Sequence, residues 1–227
     1  MKQNFITSII MAASALTLFS CSFESDRDYA DANNGKANAL VTVKTLETGE
    51  TYFQVDDSTT FEPVGWTNTF KEEKRALCNL TVLEEKSEKF DKKVSVNWIN
   101  EILTKKALTT EEAESDNVLG REDPVEIIND FWTVCEDGYL TLHFATHWGN
   151  SSISHRVNLV KTEDEADTFR FYHDKNGDFG GTTWSQGIVA FKIADLLPES
   201  PDGKKTFKLV WQSFNGEKSI DVKYLKK

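Results

Sequence analysis

The sequence predicts an all-β protein built as a small barrel followed by an antiparallel β-sandwich. Three observations predict it. From Leu40 onward, apolar and polar residues alternate over short runs, the period that puts every second side chain on one face of a strand. Clusters of Gly, Asn, Asp and Ser punctuate those runs, as turns between strands require. Helical periodicity is weak, while 39% apolar and 11% aromatic residues in a chain of 227 supply material for cores and exclude wholesale disorder.

Taken in order, residues 1–20 read as a signal peptide. Lys2 precedes an apolar run over residues 5–18, long enough for a secretory h-region and shorter than the ~20 residues of a membrane-spanning helix. The run ends Leu18-Phe19-Ser20-Cys21. A branched apolar residue three before a cysteine, with a small residue directly before it, is the bacterial lipobox pattern; Phe19 is bulkier than its usual occupant. The thiol of Cys21 would accept a diacylglycerol, and cleavage would free its amine for a further acyl chain. Two or three chains anchor a protein stably, at about 0.8 kcal/mol per buried CH₂. The expected partner of Cys21 is a lipid bilayer, and the expected location is the outer membrane, lipid-anchored, at the cell surface or on the periplasmic face.

Residues 21–38 are rich in Asp, Asn, Ser and Ala and read as an acidic, flexible tether. Glu24, Asp26 and Asp28 follow the anchor closely. They read either as a surface-export signal of some Gram-negative lipoproteins or as a solvated spacer.

Residues 39–108 carry the barrel, with strands expected over 40–45, 51–55, 59–63, 75–83 and around Val94, Val96 and Trp98. Residues 109–123 (TTEEAESDNVLGRED) are acidic and poor in apolar residues, a linker or long loop. Residues 124–227 carry the sandwich. Strands are expected over 125–133, through the alternating Leu140, Leu142 and Phe144, and over 156–161, 169–173, 187–194, 206–212 and 220–224. Residues 100–106 and 193–197 are candidate helical turns.

Several segments match in order the NigD-like lipoproteins: TYFQVDDSTTFEPVGW, KRALCNLTVLEE, VSVNWINEILTK, DPVEIINDFWTVCEDGYLTLHF and HRVNLV. The chain resembles that family over nearly all of its mature length. The resemblance implies an N-terminal OB-like barrel and a C-terminal β-sandwich, in agreement with the strand pattern. The family takes its name from a bacteriocin locus, where an immunity role was proposed, and most members have no assigned activity. Cys78 and Cys135 fall where the family does not usually carry cysteine.

The residues themselves point away from catalysis. No Gly-x-Ser-x-Gly elbow is present, and close carboxylates are expected by chance among 37 acidic residues. Cys78 and Cys135 lie in or beside apolar strand patterns, where a buried thiol is inert. A net charge of −11 opposes binding nucleic acid through its phosphates. His143 and His147 would lie about 13 Å apart on one extended strand, too far to share a zinc ion. Asp174, Asn176 and Asp178 begin like a calcium loop. Phe179 then replaces the required Gly and Ser185 the bidentate Glu, so Asn176-Gly177 reads better as a hairpin turn. Of six tryptophans, Trp98, Trp132 and Trp211 are in phase with core residues. Trp148 and Trp184 border Gly-rich loops and are the candidate ligand-binding residues. No cofactor is expected. The combined expectation is a cell-envelope lipoprotein acting as a non-catalytic binding module. The alternatives are a bacteriocin-immunity lipoprotein and a surface glycan-binding accessory.

Overall fold

The computed structural model describes residues 35–163, 167–197 and 204–225; the leader, Cys21 and the tether before Gly35 lie outside the described residues. Strands β1 (Ala39–Thr45), β2 (Thr51–Gln54), β3 (Thr60–Val64), β4 (Lys74–Val82) and β5 (Lys92–Glu101) close a barrel in the order β1-β2-β3-β5-β4. The β3–β5 pair is parallel and closes it; the others are antiparallel. Alternate residues fill the interior, among them Val41, Val43, Phe53, Phe61, Cys78 and Leu80. Strand β1 is buried on both faces because Leu40 and Thr42, out of phase with that set, turn toward the second domain.

The tether is shorter than expected. Asn38 brackets β4, its Nδ2 donating to the Leu80 carbonyl and its Oδ1 accepting from the Leu80 amide, each at 2.8 Å. Those two bonds make residue 38 part of the barrel wall.

The second domain begins at β6 (Leu103–Lys106), which pairs in parallel with β12 (Thr183–Lys192). The barrel therefore ends before residue 108, and the expected helical turn over 100–106 is instead the end of β5 and the whole of β6. One sheet has the order β6-β12-β9-β7, with β7 (Glu126–Ile127) and β9 (Tyr139–Trp148), and with β8 (Val134–Glu136) paired to β9. The other has the order β10-β11-β13-β14, from β10 (Arg156–Lys161), β11 (Thr168–Asp174), β13 (Lys204–Ser213) and β14 (Gly216–Leu225). Leu142, Phe144, Leu159, Phe171, Phe191 and Leu209 meet between the sheets. The sheets are mixed rather than purely antiparallel, since β11–β13 and β6–β12 run parallel.

Residues 109–123 are part of this domain, not a linker. They form α1 (Thr110–Ser115), closed at its start by a capping box between Thr109 and Glu112. Ala113 and Val118 pack with Leu108 on Val160 and Tyr172. The strand expected over 125–133 shrinks to β7. Thr133 Oγ1 bonds the Ile128 carbonyl and accepts from the His143 amide, folding the segment back across β9 instead of extending it. The turn expected over 193–197 is a 3₁₀ turn at Ala194–Leu196.

The domains meet where Leu40 and Leu77 of the barrel pack on Tyr139, Ile188 and Ala190 of the sandwich. Trp132 joins this seam, and Trp211 lies in the sandwich core. Trp98 departs from its expected core position: it lies on the barrel exterior, where its indole N–H donates to the Gly35 carbonyl at 3.0 Å.

Candidate functional site

Alternation along β9 separates two faces. Leu140, Leu142 and Phe144 enter the core, so His143 and His147 point to the other side of the sheet. Register places Trp184 of β12 opposite His147 and Gln186 opposite Ala145. From Tyr139 at the barrel seam to His147, β9 runs eight steps, about 27 Å at its usual rise. The far end of this face therefore stands clear of the barrel.

Three aromatic rings gather there. The His147 ring lies 5.0 Å from Trp184 and 5.3 Å from Phe214, edge-on to both, and Trp184 lies 5.7 Å from Phe214. Phe214 reaches the patch from the two-residue loop between β13 and β14. Trp184 is 48% and Phe214 37% exposed, although each would be stabilised by burial. Farther along the same face, His143 Nδ1 lies 2.7 Å from Asp130 Oδ2, and its Nε2 lies 3.1 Å from the Gln186 side-chain amide. Trp184 and Gln186 are two residues apart on one strand, about 7 Å. A bare indole with an exposed amide two residues away can stack on the C–H face of a ring while bonding its polar substituents.

The sequence paired Trp148 with Trp184; the structure separates them. Trp148 stacks on His155 with ring centroids 3.8 Å apart and planes at 11°. Its indole N–H is buried without a partner. Beneath it runs a buried polar chain. His155 Nε2 lies 3.0 Å from Asp178 Oδ2, His155 Nδ1 lies 2.9 Å from His173 Nε2, and His173 Nδ1 lies 3.1 Å from the Asp123 carbonyl. A carbonyl only accepts, so His173 Nδ1 carries the proton and its Nε2 accepts from His155. The two nitrogens of His155 thus face His173 Nε2 on one side and the Asp178 carboxylate on the other. The Gly149 amide, donating to Asp178 at 2.7 Å, and the bond from His155 hold the Asp178 carboxyl below its ordinary range. Burial depresses the His173 imidazole. This end of the sandwich is a structural plug, and Trp148 is its cover.

The calcium-like triplet does not converge. Asp174 Oδ1 accepts the Asn176 amide and its Oδ2 pairs with Arg121, while Asp178 turns inward to His155. Asn176 and Gly177, at φ 54° and 85°, make a turn but not the expected hairpin, because β11 and the next strand, β12, lie in different sheets and do not pair. Among the described residues no three metal-ligating side chains gather closely enough to hold an ion. Cys78 and Cys135 are unpaired, and burial pushes both thiols up.

Sequence reasoning missed His147 and Phe214 as partners of Trp184, and His155 and His173 beneath Trp148. The outward phase of His147 was legible from β9 alternation. A phenylalanine at the tip of a two-residue hairpin was a second signal. The histidine chain had none, because its members come from separate strands and loops.

Comparison with known proteins places this architecture. The NigD-like N-terminal OB domain family matches residues 40–102, and the NigD-like C-terminal beta sandwich domain family matches residues 106–224. Among solved structures, one from Parabacteroides distasonis ATCC 8503, with a toxin-related name, shares 29% identity at a TM-score of 0.68, over 82% of this chain and 92% of that one. A NigD-like immunity protein from Bacteroides caccae ATCC 43185 shares 18% identity at a TM-score of 0.59, over 83% and 97%. A structure from Bacteroides fragilis NCTC 9343, with a lipoprotein name, shares 15% identity at a TM-score of 0.60, over 83% and 96%. The search of curated proteins gives no match.

Proposed function

The chain belongs to the NigD-like family, an OB domain followed by a β-sandwich, and on that premise we propose that it is a cell-envelope lipoprotein that acts as a non-catalytic binding module. The observation that carries the reading is the pair of exposed rings, Trp184 and Phe214, packed around the half-buried His147. Gln186 lies two residues from Trp184 on the same strand. Rings exposed together at the expense of burial favour a ligand with a flat apolar face, and the exposed Gln186 amide on the same strand favours one that also carries hydroxyl groups. A glycan has both.

The lipobox at Cys21 supports an acyl anchor. No helix among the described residues is long and apolar enough to cross a membrane. The lipoprotein name of the Bacteroides fragilis structure agrees with that anchor, and the outer membrane is its proposed site.

The test follows the full chain, tagged at its C-terminus, in a Gram-negative host. An alkyne-palmitate label should enter the wild type and not Cys21→Ser; an unlabelled wild type would remove the anchor. The membrane-extracted protein should then give a glycan-array signal that Trp184→Ala abolishes. Turnover of a bound glycan would overturn the non-catalytic reading. No glycan signal, together with raised bacteriocin sensitivity on gene deletion, would favour the immunity role named for the Bacteroides caccae relative.

A further inference from the structure

A second cleft lies on the outer face of the other sheet, not on the sheet that carries Trp184. The turn after α1 and strands β10 and β11 enclose a cleft of about 80 Å³. One water needs about 10–15 Å³ of such space, so the cleft takes several waters or the carboxylate end of a sugar ring. Register sets Arg156 opposite Asp174 and Asn158 opposite Tyr172. Val157 and Leu159 turn into the core, so Arg156 and Asn158 face outward into the cleft.

The groups already spent can be separated from those still available. Asp174 is spent on Arg121, at 3.3 Å, and on the Asn176 amide. Lys105 Nζ donates to the Asn158 side chain. An ammonium only donates, so the oxygen of Asn158 faces Lys105 and its Nδ2 is left for the cleft. Burial raises the Tyr172 hydroxyl, which therefore stays a donor. Arg156 is exposed and makes no ion pair or hydrogen bond among the described residues. Asp116, the C-cap of α1, offers a carboxylate at the rim.

This set selects among ligands. A guanidinium repels a bare cation, and the polar lining gives an apolar ligand nothing to pack against. A dianion such as phosphate would meet Asp116 and Asp174 with one unspent guanidinium to hold it. A singly charged carboxylate fits a guanidinium through two parallel bonds, and neighbouring hydroxyls give Asp116 donors to accept from. We propose that this cleft binds a carboxylate-bearing sugar, with Arg156 pairing the carboxylate, Asn158 and Tyr172 donating to its oxygens and Asp116 accepting from a ring hydroxyl.

Isothermal titration calorimetry on the membrane-extracted full chain, with glucuronate, glucose and inorganic phosphate as probes, tests it. Glucuronate should bind, more weakly as salt is raised, and glucose and phosphate should each bind at least about tenfold more weakly. Arg156→Gln should weaken glucuronate about tenfold or more with an unchanged Tm, since the side chain it replaces is exposed and unpaired. Trp184→Ala should leave glucuronate binding intact, which separates this cleft from the glycan reading of the aromatic patch. The proposal is overturned if glucuronate fails to bind at millimolar concentration, if Arg156→Gln leaves its binding unchanged, or if phosphate binds as tightly.

Discussion

Arg75 Nη2 of the barrel lies 2.8 Å from Glu136 Oε1 of the sandwich, and neither side chain is more than 4% exposed. Arg75 also donates to Thr42 Oγ1 at 3.1 Å, and its guanidinium sits 6.0 Å from the centre of the Tyr139 ring. Around this pair run Lys44–Asp137 at 2.6 Å, Tyr139–Glu73 at 2.5 Å and the Asp137 amide to Asp57 at 2.7 Å. Burial pushes the Asp57 carboxyl and the Tyr139 hydroxyl up. The seam between domains is thus a polar network set beside a small apolar patch, and it fixes one docking register.

Removing one partner strands the other charge in the seam. Arg75→Met is expected to cost about 3–5 kcal/mol, and Arg75→Met with Glu136→Leu much less, because the double change leaves no unpaired ion. Chemical denaturation of the two single variants and the double variant checks this. Additive losses would show that the pair is not energetically coupled.

The same seam shows what the sequence could and could not tell. Period two set Leu142 and Phe144 on one face of their strand, the face that the sandwich buries. It could not explain Arg75, whose outward phase reads as solvent-facing until a second domain covers it. Thr109-x-x-Glu112 was a legible capping box inside a segment that composition alone marked as a loop. The parallel β11–β13 and β6–β12 pairs leave no local trace. Nor does Gly187, where a Cβ would come within 2.7 Å of the Phe144 ring. At the candidate site, the loop border of Trp184 was a legible sign of its exposure. The same signal at Trp148 leads instead to a ring stacked on His155, since a border residue can turn to either face.

The two tryptophans should separate in experiment. Trp148→Ala uncovers His155 and is expected to cost about 3 kcal/mol. Trp184→Ala loses only partial ring contacts, about 0.5–1.5 kcal/mol, while removing the ligand face. Thermal unfolding beside glycan binding distinguishes them. A larger stability loss at Trp184 than at Trp148 would reverse the assignment.

His173 gives stability a pH dependence of definite sign. It is 1% exposed. Its imidazole is depressed first by burial and also by the charge of His155 and of Lys175, against raising contributions from the Asp123 carbonyl and carboxylate. The unfolded value is about 6.5, so between that and the lower folded value the unfolded chain holds more protons. Stability therefore falls as pH drops below about 6.5. Urea unfolding at pH 7.5 and 5.5 should show the loss in the wild type and a smaller one in His173→Gln. Equal losses would place the titrating group elsewhere.

The loop carrying Asp178 is clamped by two glycines. A Cβ on Gly181 would fall 2.4 Å from the Trp148 carbonyl carbon and 2.5 Å from the Gly149 nitrogen, both backbone atoms that cannot rotate away. Gly181→Ala must therefore lift the loop off β9, lengthening the Asp178 bond to the Gly149 amide and loosening the cover over His155. The expected loss is at the upper end of the 1–3 kcal/mol typical of overpacking, with faster hydrogen exchange at Gly149. Gly177→Ala is the control: its Cβ meets open space, and only the positive φ of 85° is strained, at about 1–2 kcal/mol. That strain stays within the turn, so Gly149 exchange should not change. Equal protection of the Gly149 amide in both variants would show that the close backbone approach at Gly181 does not hold Asp178 in place.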